Sequence, residues 1–238
     1  MRNTLAIARR ELKAYFLSPM AYVVSAIYLA VMGGFFGFVL YYSQEATLRY
    51  VFLNAIPLLF LVLVSQILTM RLLSDEQRQG TLELLLTSPI RDWEVVVGKY
   101  LASLGAFGAM LLLTIYFPIT LLRVGNPDVG IMISSYLGYI LLSASMLAIG
   151  VFTSALTQNQ IVAAVIGIGI TLLLWLSGAV TDLVGSGVGE VFSYLPIFDH
   201  FTDFVTGIVD TSHIIYYLSL IGFFLFLATR VVESRRWK

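Results

Sequence analysis

The sequence predicts an all-α membrane protein with six transmembrane helices, and three observations predict it. Six stretches are apolar and free of charge over roughly the 20 residues that a helix needs to cross the hydrocarbon of a bilayer. Of the 238 residues, 59% are hydrophobic and only 12% charged, with mean hydropathy +0.91; a soluble domain has about 25% charged residues. Twelve of the 14 Lys and Arg residues fall in three segments that six crossings place on one side. By the positive-inside rule that side is the cytoplasm, with both termini and the central loop in it.

The elements follow in order. Asn3 to Leu17 sets Leu5, Leu12, Tyr15 and Phe16 at roughly helical spacing, with Arg9, Arg10, Glu11 and Lys13 between them. That pattern predicts an amphipathic helix over 3–18 in the cytoplasmic interface, ended by Ser18-Pro19. The apolar stretch behind it is too long for a cleavable signal peptide and lacks a small-residue cleavage site. The first span, 20–42, holds Gly33 and Gly37, a small-xxx-small pair that lets another helix approach, inside the subunit or across a dimer. The second, 51–70, carries Asn54, Ser65 and Thr69 within a narrow sector, with Gln66 at its edge and Pro57 as an expected kink. Such a sector faces protein or water, so these residues either bond neighbouring helices or wall a path.

The third span, 100–122, shows a packing face of Ala102, Gly105, Ala106 and Ala109, and a short external turn with Gly125, Pro127 and Gly130 follows. The fourth and fifth spans, 131–156 and 161–181, flank a tight polar turn, Thr157-Gln158-Asn159-Gln160. The sixth, 214–232, is completed by Val231 and Val232 while Arg230 snorkels to the headgroups.

Two segments are not spans. The loop over 71–99 is the one long charged interruption: Asp75, Glu76, Arg78 and Gln79 read as solvated, Gly80 breaks the helix and Thr81 starts a short one. That helix carries Leu82, Leu84, Leu85 and Leu86, and Pro89 opens the next, which runs through Trp93 and Gly98 to Lys99. Leucines on a short helix in a charged loop call for a cover, either another protein or lipid headgroups. The segment 182–213 has Gly185, Gly187, Gly189 and Pro196, five acidic residues, no Lys or Arg, and the aromatics Phe192, Tyr194, Phe198, Phe201 and Phe204. It reads as short re-entrant or interfacial helices capping the outer mouth.

The run Glu76, Gly80-Thr81-Leu82-Glu83-Leu84-Leu85, Pro89 and Gly98-Lys99 resembles the signature of ABC-2 type exporter permeases in the loop after their second span. Arg10-Glu11-Leu12, Tyr15-Phe16 and Ser18-Pro19 extend the similarity over nearly the full length. So do Pro196, His200-Phe201, Phe204, Gly207, Asp210 and Arg235-Arg236-Trp237. Together they resemble the permeases associated with gliding motility and copper-enzyme maturation.

The resemblance implies one ABC-2 type transmembrane domain over 1–238 in the cytoplasmic (inner) membrane. It makes the loop a coupling helix that docks on a separate ATP-binding subunit through Glu76, Gly80, Thr81, Leu82, Glu83, Leu84, Leu85, Leu86 and Pro89, with Glu76 and Glu83 free for charge pairing. It favours the second and fifth spans as walls of a substrate path, lined by Asn54, Ser65, Thr69 and Thr171. Pro196, His200, Phe201 and Phe204 fall in its extracytoplasmic gate. The implied partners are the ATPase, a second permease copy or paralogue, an extracytoplasmic accessory subunit and membrane lipid, with no nucleic acid.

Reactive chemistry is not visible in the chain. Without cysteine there is no disulfide framework, thiolate metal site or cysteine nucleophile. His200 and His213 are the only histidines and read as capping or structural, with no metal site. No H-E-x-x-H, G-x-S-x-G or G-x-x-x-x-G-K-[ST] occurs, so the chain cannot itself be the ATPase; the resemblance implies a non-catalytic subunit whose ATP and magnesium are bound by a partner. The expected function is coupling ATP hydrolysis on that partner to movement of a substrate across the membrane. The alternatives are a mechanotransmission subunit that drives an accessory protein without cargo, and a passive scaffold.

Overall fold

A computed structural model describes residues 2–43, 47–81, 90–181 and 194–235, and among them it contains only helices and no strand. Six segments are long and apolar enough to cross a membrane, in the order the hydropathy predicts. They are α2 (Pro19–Ser43), α4 (Ala55–Thr69) continued by a turn into α5 (Ser74–Arg78), α6 (Asp92–Leu113) with α7 (Tyr116–Val124), α8 (Val129–Leu156), α9 (Gln160–Thr181) and α11 (Thr211–Arg235). Shorter or polar helices are α1 (Arg2–Leu17), α3 (Arg49–Phe52) and α10 (Asp199–Thr206).

The bundle is built around α8, against which α4, α6, α9, α10 and α11 all pack. Its sequence explains why. Ser134, Ser135, Gly138, Ser143, Ala144, Ser145, Ala148, Gly150, Ser154 and Ala155 are all buried, and such small side chains let backbones approach closely where lipid offers no hydrophobic drive between helices. Hydroxyls are satisfied within the helix: Ser143 donates to the Ile140 carbonyl at 2.9 Å and Ser145 to Leu142 at 2.7 Å. The outer helices turn Ile27, Leu173, Leu176, Phe223 and Phe226 away from the bundle, as a lipid-facing surface requires.

Two spans differ from the sequence expectation. The second begins at Ala55 rather than 51, preceded by the short α3, and Asn54 caps it by accepting from the Ile56 amide at 3.0 Å. Pro57 therefore lies in the first helical turn, where no amide is owed to the helix, and does not kink it. The third span starts two turns early, at Asp92, and is broken between Leu113 and Tyr116. The break is satisfied by the Tyr136 hydroxyl, which donates to the Thr114 carbonyl at 2.8 Å.

At the end of the bundle away from α5, α10 is seated by aromatic side chains. Phe201 and Phe204 are fully buried, and the Ser134 hydroxyl donates to the Phe204 carbonyl at 2.7 Å. Phe204 lies on Gly138, where an added Cβ would stand 2.5 Å from its Cβ and 2.6 Å from its Cγ. Phe201 faces Tyr139, whose ring also meets Phe52 at 4.8 Å and whose hydroxyl bonds that of Tyr28 at 2.9 Å. Gly207 ends α10 at φ 93°, a left-handed conformation that favours glycine.

Gly138→Val is expected to unseat α10 and to destabilise the protein by about 1–3 kcal/mol, the usual cost of overpacking. Thermal unfolding in detergent measures it; a melting temperature equal to that of the unaltered protein would refute the seat described for Phe204.

Candidate functional site

The most heavily interconnected polar region is the short helix α5, at the head of the loop between the second and third spans. Three consecutive side chains leave it in three directions. Asp75 accepts from the Gln160 side-chain amide at the start of α9. Glu76 pairs through Oε1 with Lys99 Nζ of α6 at 2.9 Å and with Arg10 of α1 at 3.2 Å. Gln77 donates to the Ala155 carbonyl at the end of α8 at 2.8 Å. At about 100° per residue no two neighbours on a helix share a face, so one turn reaches all four helices.

The turn leading into α5 is fastened as well. The Ser154 hydroxyl of α8 accepts from the Leu73 and Ser74 amides at 3.0 and 3.1 Å and donates to the Met70 carbonyl at 2.9 Å. Arg235 of α11 covers the carbonyls of Ala155 and Leu156 at 3.2 and 3.0 Å, in line with the preference for a cation at a helix C-terminus. The expectation that Asp75 and Glu76 are solvated is therefore corrected. Both are partly buried, while Arg78 and Gln79 are exposed. Glu76 is paired inside the chain through Oε1.

Lys99 is the centre of the arrangement. Its side chain is 1% exposed, and its ammonium also reaches Glu11 of α1 at 3.3 Å. Glu11 in turn holds Arg10 at 2.7 Å. Two cations and two carboxylates thus join α1, α5 and α6, beside a cavity of about 200 Å³ lined also by Arg71 and Asp75. The second oxygen of Glu76, Oε2, is buried without a hydrogen-bond partner. Burial works to raise the Glu11 carboxyl, but Lys99 and Arg10 outweigh it and hold Glu11 below its ordinary 4.5. A lowered folded-state value means that this contribution is complete above pH 4.5 and is lost as pH falls through the lowered value.

The path of α1 follows from the same contacts. Asn3 meets Glu94, Ile7 lies over Gly98, Glu11 reaches Lys99 and Leu12 lies over Gly105, so α1 runs parallel to the first turns of α6. A Cβ on Gly98 would stand 2.9 Å from Ile7 and 3.0 Å from the Thr4 carbonyl; only glycine permits this approach. The apolar stripe expected on α1 is split. Leu12 and the buried Tyr15 face protein, with the Tyr15 hydroxyl donating to the Leu68 carbonyl, whereas Leu5 and Phe16 face outward.

Beyond α5, Gly80 takes φ 70° and Thr81 is exposed. Leu82, Glu83, Leu84, Leu85, Leu86 and Pro89, the core of the sequence-predicted coupling set, lie outside the described residues.

Ser65, Thr69 and Thr171 are fully buried and bond backbone of their own helices: Ser65 to Val62 at 2.8 Å, Thr69 to Ser65 at 2.7 Å, Thr171 to Gly167 at 2.9 Å. Gln66, at the edge of that sector, is the residue of the group that bonds across to another helix. Its amide donates to the Met146 carbonyl at 3.3 Å, and Gly150 and Gly167 leave it space between α8 and α9. Asn54 stands apart, at the other end of α4, beside a groove of about 540 Å³ shared with Phe38, Tyr42 and Tyr50. Of the gate set, Phe201 and Phe204 are seated in the bundle as described, Pro196 packs on Gly178, and His200 bonds His213.

Sequence reasoning missed the density of small residues along α8 and the reach of Lys99. The first signal was present as Gly, Ala and Ser at close intervals from 134 to 155. The second was a lysine within helical reach of the third span's apolar stretch.

A bundle of six membrane-length helices with most of its Lys and Arg residues at the α5 end defines a multi-pass membrane protein. The family model described as "ABC-2 family transporter protein" matches residues 5–232, and the chain belongs to that family. It is accordingly a membrane permease subunit of an ABC transporter, and the family implies an ATP-binding subunit as partner. No curated protein matches the sequence.

Lys99→Met leaves Glu11 and Glu76 facing each other at side-chain exposures of 16% and 17%. Removing one member of a buried ion pair costs about 3–5 kcal/mol, and Arg10, which still serves both carboxylates, sets the expectation near 3. The check is thermal unfolding of the variant between pH 4 and 8, with Lys99→Arg expected to recover part of the loss. A Lys99→Met protein as stable as the unaltered one would remove the ionic centre from the account.

Proposed function

We propose that the chain is the membrane half of an ATP-driven exporter of the cytoplasmic membrane, with α1, α5 and both termini on the cytoplasmic side. The loop 82–89 rests its leucines on the ATP-binding subunit, which holds ATP and magnesium. Two such permease chains, identical or paralogous, form the transporter, and an accessory subunit engages the end where α10 lies.

The observation that carries this reading is the fastening of α5. A loop that takes up force must be stiff where it joins the membrane domain, or the force is lost in bending. Asp75, Glu76 and Gln77 tie the head of this loop to α9, to α6 and α1, and to α8. The tail of the loop enters α6 directly at Asp92. Movement of the loop therefore acts on the bundle as a whole.

The path proposed for substrate is the polar seam of Ser65, Gln66, Thr69 and Thr171. Closed, it is a helix–helix contact between α4, α8 and α9. Separation of α4 from α9 uncovers its hydroxyls and amide, and displacement of Pro196, His200, Phe201 and Phe204 opens the far end.

Leu85→Asp tests the reading, because a carboxylate at an apolar docking contact removes its burial and adds a desolvation cost. In proteoliposomes holding both subunits, ATP hydrolysis stimulated by the permease is expected to fall at least about tenfold, the factor that 1.4 kcal/mol represents, with insertion unchanged. Stimulated hydrolysis at the unaltered rate would exclude this loop as the coupling element.

A further inference from the structure

We propose that His200 and His213 together bind one proton, and that this proton fastens the segment from Tyr194 through α10 to the head of α11. Four groups form one chain. His200 Nε2 lies 3.1 Å from the Tyr194 carbonyl, the two Nδ1 atoms lie 2.7 Å apart, and His213 Nε2 lies 2.7 Å from Asp203 Oδ2. Tyr216 stacks on the His200 ring at 3.9 Å between centroids and fixes its plane.

Counting hydrogens decides the protonation state. The Tyr194 carbonyl only accepts, so the first bond needs a hydrogen on His200 Nε2. The bond between the two Nδ1 atoms needs one hydrogen, and the bond from His213 to Asp203 needs another. Three bonds need three hydrogens, while two neutral imidazoles supply two. The complete chain therefore carries one proton more than two neutral imidazoles and an aspartate. Without it, one of three faults follows: the Tyr194 carbonyl faces a bare nitrogen, the two Nδ1 lone pairs face each other at 2.7 Å, or His213 Nε2 turns a bare nitrogen to the Asp203 carboxylate, and one link opens.

The surroundings suit an added positive charge. Asp199 and Asp203 stand on α10, and Asp210 lies in the turn before α11 within electrostatic reach of His213. Tyr216 and Tyr217 are the other titratable groups on the α11 side, their hydroxyls donating to the Leu195 and Ile197 carbonyls at 2.8 Å. Asp128, at the start of α8, is held by the Gly130 and Ile131 amides. Arg49 on α3, which also packs against α10, is exposed. Because the links join 194, 200, 203 and 213, acidification on this side tightens the seating of α10, and loss of the proton loosens it.

The test uses the full permease in nanodiscs, with no ATPase or cargo, so its failure is separate from failure of the transport reading. Nitrogen-15 spectra of histidine-labelled protein across pH 5 to 8.5 are expected to show a state with three N–H groups over the four ring nitrogens. Over the same range, amide exchange in 194–206 is expected to slow about tenfold as the proton binds, the effect of about one charge-assisted hydrogen bond. His200→Gln and His213→Gln, each first shown to melt cooperatively, are expected to abolish that pH dependence while exchange in α8 stays as it was. Three outcomes each overturn the proposal: only two N–H groups at every pH, exchange in 194–206 independent of pH in the unaltered protein, or unchanged pH dependence in both variants.

Discussion

A lysine with 1% of its side chain exposed sits between two carboxylates from different helices, and the α5 end of this bundle depends on that contact. Taken as stability it is a modest asset, since the attraction of a buried pair is largely offset by the cost of taking its charges out of water. Taken as geometry it is decisive. An ammonium that has lost its water must keep both Glu11 and Glu76, so α1, α5 and α6 have one mutual arrangement rather than a range of them. Apolar packing alone would allow α1 to slide along α6; the pairing of Glu11 with Lys99 and the approach of Ile7 to Gly98 set its register.

The remainder of the bundle extends that rigidity by other means. Small residues on α8 bring four spans and α10 within backbone reach, and the polar groups this close packing buries are satisfied locally, mostly by hydroxyls bonding one turn back. The seam at Ser65, Gln66 and Thr69 differs because Gln66 bonds outside its own helix and its Oε1 is buried without a partner. A buried amide oxygen left without a partner between α8 and α9 is a local cost, as are Glu76 Oε2 and Gln77 Oε1 on α5.

Much of this was legible in the sequence, for definable reasons. Charge-free length marks a span whatever its neighbours are, so six membrane-length helices appear in the order that hydropathy gives, although the second and third start elsewhere. The head of the loop was legible as a motif but not as a structure. Asp75 and Glu76 read as solvated because a charged residue in a loop is usually so, and nothing local reveals that Gln160 and Lys99 converge on them from 85 and 23 positions away. Pro57 read as a kink because the span was started at 51; Asn54, which caps the helix locally through the Ile56 amide, moves its start to Ala55. Likewise Ser65 and Thr69 were correctly placed on a common polar face, but period alone cannot distinguish a face that meets a helix from one that lines a path. His200 was read as structural, and its partner His213 lay too far along the chain for spacing to indicate the contact.

The central claim is that α1 and the head of the loop move as one body held through Lys99, and a distance measurement tests it most directly. Spin labels on the exposed positions Lys13 of α1 and Gln79 beyond α5 report that separation in the assembled transporter. The account predicts one sharp distance, the same with and without ATP, that broadens when Lys99 is replaced by Met. A distance that changes between nucleotide states in the otherwise unaltered protein would contradict it.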